Sequence, residues 1–280
     1  MKRVILAWSL VFIISLTELT SVFAGWRFGL DNQNTRQIHD TGADSEFPFV
    51  EVWDHPVDLG GLVESQPIIA NNHIYVQAGQ HLVKVSLDGR VVQKTGYIVN
   101  DHERASGSSP TYAETRFGPR LYQATRDHRL WAIDPESLEP LWDFGNEGGP
   151  ALTVSAGGRP DKRYRITSSP LVIGGPDGNP IIALGTGTGD NTGRDGQYSD
   201  NGFFVVEDQG AQAIFKKLGK MDGEVTGSPI NHKGYVVAAE NNWMAPSGII
   251  RYSVSQNKVL RQLQYTDKGI PGSPAADGDY

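Results

Sequence analysis

The chain has 280 residues, of which 33 are glycine and 16 are proline, and it contains no cysteine. The glycine and proline content favours many short elements joined by turns, and the lack of cysteine excludes disulfides, thiolate zinc sites and cysteine nucleophiles. The formal net charge of −7 argues against a nucleic-acid partner, because phosphate binding needs a basic face.

The N-terminus has the pattern of a secretory signal peptide, which we assign to residues 1–24. Lys2 and Arg3 supply a positive start, an apolar run extends from Val4 to Leu16, and Ala24 ends the predicted cleavage site. The alternative is a membrane anchor, but the run is shorter than the roughly 20 residues that a spanning helix needs. The sequence therefore predicts an exported protein, periplasmic or extracellular, that is soluble and not inserted in a membrane after cleavage.

A repeated step of small residues followed by proline organises the rest of the chain. The five prolines of these steps are Pro67, Pro110, Pro170, Pro229 and Pro274. After a turn, each of the first four steps is followed by an apolar or aromatic strand, predicted at His73–Val76, Arg120–Gln123, Pro180–Ala183 and Gly234–Val237. Another strand comes next, as at His81–Ser86 and Arg129–Ile133, and a last strand closes the unit, as at Leu141–Phe144.

About four short strands recur with every proline step, a pattern typical of β-propeller blades. One four-stranded sheet cannot bury both faces alone, whereas sheets stacked around an axis shield one another. We predict an all-β propeller over residues 25–280, with almost no helix. It has about four blades of four antiparallel strands plus the start of a fifth, in an incomplete ring cut from a longer protein. The alternative is a closed four-bladed ring in which residues 271–280 supply the closing strand.

One segment resembles the tryptophan-docking motif A-x-D-x-x-T-G-x-x-x-W of pyrroloquinoline-quinone-type (PQQ-like) repeat propellers. Ala132, Asp134 and Trp142 match this motif, whereas Ser137 and Leu138 replace its threonine and glycine. A small residue suits the close approach of two blades, and an aspartate can hold a turn through its own backbone. A tryptophan offers a large flat surface to the neighbouring blade.

The resemblance extends to the opening segment Trp26–Arg36 and implies one of two functional types. Quinoprotein dehydrogenases of this family hold PQQ and a calcium ion in the central funnel and oxidise alcohols or sugars. Non-enzymatic members, similar to the outer-membrane assembly lipoprotein of the barrel-assembly machinery, bind proteins. The alcohol-oxidising members use a vicinal cysteine pair, which this chain lacks, and a convergent set of calcium ligands is not recognisable in the sequence.

We therefore predict a chain closer to the non-enzymatic members, without a catalytic residue or an expected cofactor. It would act as a module that binds or scaffolds an envelope or secreted protein. The alternative is a fragment of a PQQ- and calcium-dependent alcohol or sugar dehydrogenase.

The glycine-rich segment 185–202 carries a candidate metal site. Its Asp190, Asn191, Asp195 and Asp200 are hard oxygen donors of the kind that calcium prefers, although their spacing does not match an EF-hand. The alternative is an inserted surface loop in which these side chains stabilise turns. No helix-forming stretch follows the glycines, which excludes a nucleotide-binding loop.

Two further segments are candidates for surface contacts. Trp243 and Met244 lie in an insertion between strands, and their residue types concentrate at interface cores. The alternative for them is packing against the adjacent blade. His102, Glu103 and Arg104 precede the second proline step and are interpreted as a solvated loop cluster, since the second histidine of a zinc-protease motif is missing.

Overall fold

The computed structural model describes residues 56–96, 98, 107–144, 149–154, 166–187, 202–220, 225–240, 247–265 and 273–274. These ranges contain sixteen strands and no helix, so they contain no helix that could span a membrane. The strands form four sheets of four, and strands consecutive in the chain pair antiparallel within each sheet. The predicted all-β propeller of about four blades in an incomplete ring is confirmed.

Each sheet is one blade and contains four strands in chain order. Blade 1 contains β1 (Ile68–Ala70), β2 (His73–Ala78), β3 (His81–Ser86) and β4 (Val91–Lys94). Blade 2 contains β5 (Thr111–Thr115), β6 (Gly118–Thr125), β7 (Arg129–Ile133) and β8 (Leu152–Thr153). Blade 3 contains β9 (Leu171–Gly174), β10 (Pro180–Thr186), β11 (Gly202–Asp208) and β12 (Ala213–Lys220). Blade 4 contains β13 (Ile230–His232), β14 (Tyr235–Glu240), β15 (Ser247–Ser253) and β16 (Lys258–Tyr265).

The proline steps lie where the repeat predicts them. Pro67, Pro110, Pro170 and Pro229 immediately precede β1, β5, β9 and β13, the first strands of the four blades. A proline ahead of a strand costs no ladder hydrogen bond, because the missing N–H is not needed there. Pro274 lies outside the sixteen strands but belongs to the same series, because Ser273 before it accepts a hydrogen bond from the Ser228 step.

The meander gives every blade two different ends. At the end that we call the turn end, the first and second strands are joined by the short turns 71–72, 116–117, 175–179 and 233–234. At the opposite end, the connection end, the chain enters the first strand, joins the second strand to the third, and leaves the fourth. The long connections between strands, apart from residues 134–151 of blade 2, attach to the connection end.

A relay of hydrogen bonds links the proline steps of successive blades. In each step, the backbone N–H of the residue before proline donates to the hydroxyl of the corresponding serine in the next blade. The donors and acceptors are Gln66 to Ser109 at 2.9 Å, Ser109 to Ser169 at 3.0 Å, Ser169 to Ser228 at 2.9 Å, and Ser228 to Ser273 at 2.8 Å. Since Ser273 accepts as the others do, it occupies the position of a fifth step beside blade 4.

The hydrophobic core is divided into layers that lie between blades. Three layers each take residues from two facing sheets: Leu82 with Leu121, Leu130 with Phe204, and Val205 with Tyr252. A fourth, smaller cluster takes its buried residues from blade 1 alone. Each square ångström of apolar surface removed from water stabilises a fold by roughly 25 cal/mol. Because each layer needs both sheets, a blade is stabilised by its neighbours rather than by a core of its own.

Gly185 marks a close approach of two backbones at the connection end. A Cβ atom at this position would lie 2.2 Å from the carbonyl oxygen of Val225. The backbone of the segment that leads into blade 4 therefore packs directly against the end of β10, and its Val225 N–H donates to Thr186 O at 3.0 Å. Only glycine leaves room for this contact.

The predicted last strand of the second repeat, Leu141–Phe144, is wrong. The Leu141 N–H donates to Ala132 O within blade 2, but the Asp143 N–H donates to Ala211 O in blade 3, both at 2.8–2.9 Å. The backbone donors of this segment thus bond to two different blades and form no continuous ladder. The fourth strand of blade 2 is β8, which pairs with the start of β7.

Candidate functional site

The segments that carry the predicted metal-binding and surface-contact residues all attach to the blades at the connection end. Residues 187–201 join β10 to β11 and include Asp190, Asn191, Asp195 and Asp200. Residues 241–246 join β14 to β15 and include Trp243 and Met244. His102, Glu103 and Arg104 belong to the connection from β4 to β5. All of these side chains lie outside the described residues, as do the predicted signal peptide and Trp26–Arg36, whereas the strand ends that carry the connections are described.

Buried polar side chains fasten the strand ends beneath these connections. Gln123 on β6 donates through Nε2 to Gln77 Oε1 on β2 at 2.8 Å, and to Ser108 O at 3.0 Å. Ser168 Oγ accepts the Gly185 N–H at 3.2 Å. Polar groups buried without partners would be costly, and here the Gln123 Nε2 group and the Ser168 hydroxyl have partners across and within blades.

The β6–β7 hairpin of blade 2 contacts the chain that leaves β4 of blade 1. Arg129 donates to Asp127 through Nε at 2.8 Å and to Ile98 O through its guanidinium at 3.0 Å. The same guanidinium carbon lies 4.9 Å from the ring centroid of Trp131, within cation–π range. This arginine therefore fixes both the hairpin and the chain that arrives from β4.

The turn end carries the residues of the tryptophan-docking motif. Asp134 Oδ1 accepts the backbone N–H groups of Glu136 at 2.7 Å and Ser137 at 2.9 Å, which holds the turn after β7. Ala132 is fully buried in the layer between blades 2 and 3. Trp142 is 2% exposed and lies in that same layer, so the motif joins blade 2 to blade 3.

Leu138 adopts the backbone conformation that the motif normally assigns to glycine. Its φ is 54°, in the left-handed region, which costs a non-glycine residue roughly 1–2 kcal/mol. Its side chain is buried in the layer between blades 1 and 2, and burial of a leucine contributes about 1.5–3 kcal/mol. Burial thus offsets the strain, and the departure from the motif keeps the same turn.

The acceptor of the docked tryptophan is Asp208, at the end of β11 in blade 3. Asp208 Oδ1 accepts Trp142 Nε1 at 3.1 Å and the Gly210 N–H at 2.8 Å. Its Oδ2 accepts the Arg120 guanidinium at 2.8 Å and the Tyr122 hydroxyl at 2.6 Å. The carboxylate is fully buried, the Arg120 guanidinium balances its charge, and four donors in all bond to its two oxygens. Burial, with the adjacent carboxylate, raises the pKa of Tyr122 well above its ordinary value, so this hydroxyl stays a donor.

A related but weaker contact joins blade 1 to blade 2. The Tyr75 hydroxyl donates to Pro135 O at 3.1 Å, and Lys84 Nζ donates to the Glu136 carboxylate at 3.0 Å. Tyr75 and Tyr122 occupy equivalent places, because each pairs with the residue that follows its proline step. The Tyr75 hydroxyl of blade 1 thus donates to a backbone carbonyl, whereas the Tyr122 hydroxyl of blade 2 donates to a buried carboxylate.

Sequence reasoning missed Asp208, although a signal for it exists. Residues 206–210 have the same spacing as residues 132–136. In each segment a hydrophobic residue is followed two positions later by an aspartate and then by a turn. The tryptophan that uses Asp208 lies in the preceding blade, so no local pattern pairs the two. In the ranges that the structure describes, no three His, Asp or Glu side chains cluster as metal ligands would.

No family model and no curated protein sequence matches the chain. Solved structures do match it. The quinohemoprotein alcohol dehydrogenase from Comamonas testosteroni aligns at a TM-score of 0.56 and 14% identity, over 87% of this chain and 41% of that one. A europium-containing methanol dehydrogenase aligns at 0.56 and 12% identity, over 90% and 50% of the two chains. This chain shares the β-propeller fold of the quinoprotein alcohol dehydrogenases.

At these identities the likeness shows the fold alone, and the chain spans half or less of either dehydrogenase. BamB from Moraxella catarrhalis aligns at a TM-score of 0.39 and 10% identity, over 76% of this chain and 66% of that one, which is too low to carry an argument. The resemblance to PQQ-like propellers that the sequence predicts is confirmed at the level of the fold. The leaning toward non-enzymatic members stays a prediction.

Proposed function

We propose that this chain is an exported, non-catalytic propeller module that binds an envelope or secreted protein through its connection end. The observation that carries the proposal is the distribution of chain length between the two ends. Nearly all long connections attach to one end, whereas short turns close the other. Binding residues are concentrated on loops that a scaffold of strands positions.

The strand ends at the connection end support a scaffold role for the blades themselves. The hydroxyls of Ser109, Ser169 and Ser228 accept backbone N–H groups of the preceding blade, and the Gln123 amide bridges to blade 1. Because these polar groups bond to neighbouring blades, the residues that would contact a partner protein are those of the connections. Among those connections, Trp243 and Met244 supply aromatic and flexible apolar groups, which suit the core of a protein interface.

Site-specific photo-cross-linking in the exporting cell tests this proposal. We expect a photoreactive residue at Met244 to form an adduct of defined mass with one protein, because 241–246 attaches to the connection end. The matched control is a photoreactive residue at Asn72, in an exposed turn at the opposite end. Equal adducts from both positions, or adducts from Asn72 alone, would contradict the proposal.

The second candidate function is part of a PQQ-dependent dehydrogenase. The observation that favours it is the fold shared with quinoprotein alcohol dehydrogenases over most of this chain. The test adds PQQ and calcium to the purified protein, removes the unbound quinone, and measures retained quinone absorbance and dye-linked alcohol or sugar oxidation. Retained quinone with oxidation would replace the binding proposal by the enzymatic one.

The calcium hypothesis for residues 187–201 has its own test. If Asp190, Asn191, Asp195 and Asp200 bind calcium, millimolar calcium raises the melting temperature of the parent protein and Asp195→Asn abolishes the rise, since neutralising one carboxylate weakens a hard-oxygen site. Asp177→Asn, in an exposed turn-end loop, is the control and keeps the rise. No shift in the parent protein would leave this connection as a surface loop.

A further inference from the structure

The hairpin that joins β6 to β7 of blade 2 places an arginine at the connection end. Thr125, the last residue of β6, pairs with Arg129, the first residue of β7, and residues 126–128 form the turn between them. Arg126 is the first residue of this turn, and only 7% of its surface is exposed. An arginine is seldom buried to this extent unless a carboxylate or another acceptor bonds to it.

Arg126 lacks an acceptor of this kind. Its side chain forms no hydrogen bond and no ion pair with any residue that the structure describes. The other two buried lysine and arginine side chains in the described ranges are paired, Lys84 with Glu136 at 3.0 Å and Arg120 with Asp208 at 2.8 Å. Arg126 is therefore the exception, a buried cation that the described parts of the blades leave unmatched.

The carboxylate next to Arg126 in the chain is occupied by another arginine. Asp127 accepts the Thr125 hydroxyl at 2.6 Å and Arg129 Nε at 2.8 Å, and a second nitrogen of the Arg129 guanidinium also donates to it. Two arginines thus lie close to one aspartate in the chain, and the aspartate bonds to Arg129. The hairpin carries one positive charge more than its own carboxylate neutralises.

The turn does not need Arg126 for its own conformation. The His128 N–H donates to Thr125 O at 3.1 Å, and His128 adopts a left-handed φ of 64° that closes the hairpin. In blade 1 the corresponding connection between β2 and β3 consists of Gly79 and Gln80. The blade fold thus accepts a residue without a side chain at this place, so a ligand explains the arginine better than the fold does.

The guanidinium of Arg126 keeps contact with solvent although most of the residue is buried. In the described ranges, Arg120 Nε is among the side-chain atoms that are fully buried without a partner, whereas no nitrogen of Arg126 is. The planar fork of N–H donors matches a carboxylate, with which it forms two parallel charge-assisted hydrogen bonds. Because so little of the residue is exposed, a ligand must reach it with one small group.

We propose that Arg126 binds a carboxylate of the partner protein, carried by an aspartate or glutamate side chain. The inference rests on the proposed protein-binding function, since Arg126 lies at the same end of the blades as the connections 187–201 and 241–246. The net charge of −7 disfavours nucleic acids and anionic membranes as the source of the anion. One acidic side chain supplies a single small anionic group that neutralises the unmatched charge.

Titration with a small carboxylate tests the site without the partner. The probe is N-acetyl-glutamate amide, whose only charge is the side-chain carboxylate, and N-acetyl-glutamine amide is its neutral control. We expect the Nε–H resonance of Arg126, assigned in the nitrogen–proton NMR spectrum by its loss in Arg126→Gln, to shift with the glutamate probe alone. No shift of this resonance, or equal shifts with both probes, would overturn the inference.

Cross-linking from Met244 in the exporting cell tests whether the carboxylate belongs to a protein. Arg126→Gln should lower the yield of the Met244 adduct at least about tenfold, because it removes one member of a charge pair that binding buries. Arg116→Gln, at an exposed arginine of the turn end, is the matched control and should leave the yield unchanged.

The two experiments separate this inference from the proposed function. An unchanged adduct yield in Arg126→Gln would overturn the inference and leave the protein-binding function standing. A parent protein that gives no adduct, but whose Arg126 resonance shifts with the glutamate probe, would contradict the protein-binding function and assign the site to a small carboxylic acid.

Thermal stability distinguishes a binding role of Arg126 from a structural one. An unmatched buried charge opposes folding, so Arg126→Gln should leave the melting temperature unchanged or raise it. Arg120→Gln, which breaks a buried ion pair, should lower the melting temperature. If Arg126→Gln lowered it as much as Arg120→Gln does, Arg126 would stabilise the fold and the inference would be wrong.

Discussion

Replacing Asp208 with alanine is expected to destabilise the protein by about 3–5 kcal/mol, because it leaves the buried Arg120 charge without its partner. The same change removes the acceptor of Tyr122 and Trp142, which belong to blade 2 while Asp208 belongs to blade 3. The loss is therefore a loss of contact between blades. Chemical denaturation, followed by intrinsic fluorescence, measures it as a lower midpoint.

Asp88→Ala is the matched control for this prediction. Asp88 also pairs with an arginine, Arg90, but both side chains are exposed. Exposed ion pairs contribute little, so the midpoint should not change measurably. If Asp208→Ala left the midpoint where Asp88→Ala leaves it, the inter-blade carboxylate would have no structural role.

Trp142→Ala is expected to cost about 3–5 kcal/mol, as large-to-small changes at buried aromatic positions do. Trp142 is packed against Tyr122 and Phe144, with ring centroids 6.1 Å apart in each pair. Trp142→Phe keeps one aromatic ring at the site but loses the indole N–H and part of the buried ring volume. It should therefore cost less than Trp142→Ala, about 1.5–3 kcal/mol, the range of a hydrogen bond to a charged group.

A double-mutant cycle separates packing from the hydrogen bond. Because Trp142 and Asp208 are in contact, the effects of Trp142→Phe and Asp208→Ala should not add, and their coupling should be about 0.5–3 kcal/mol. Trp142→Phe combined with Asp88→Ala, at an exposed turn of blade 1, is the control, and these two effects should add. Additive effects of Trp142→Phe and Asp208→Ala would contradict the bond between blades.

Local sequence patterns predicted the strands because those patterns are set within one blade. The strands at His81–Ser86 and Arg129–Ile133 were predictable to the residue, since alternating apolar side chains end at polar turns. The proline steps were predictable because proline is tolerated ahead of a strand and disfavoured inside one. These signals depend only on neighbours in the chain.

The contacts between blades could not be predicted in the same way. Trp142 and Phe144 look like strand residues because they are apolar. Trp142 is instead buried, and Phe144 half-buried, between two sheets rather than within one ladder. Asp208 looks like a turn residue, and its role depends on Arg120 and Tyr122, which lie far from it in the chain. The conformations of the long connections depend on binding partners and on chain entropy, and no periodic sequence pattern specifies either.

The most direct test of radial stacking is amide hydrogen exchange at the proline steps in Ser169→Ala. In the parent protein, we expect the Ser109 and Ser169 amides to be protected although each precedes a strand, because each donates to a hydroxyl in the next blade. In Ser169→Ala, the Ser109 amide should lose its protection while the amide of residue 169 keeps it. Fast exchange of the Ser109 amide in the parent protein, or loss of protection at residue 169 alone, would contradict the order in which the blades stack.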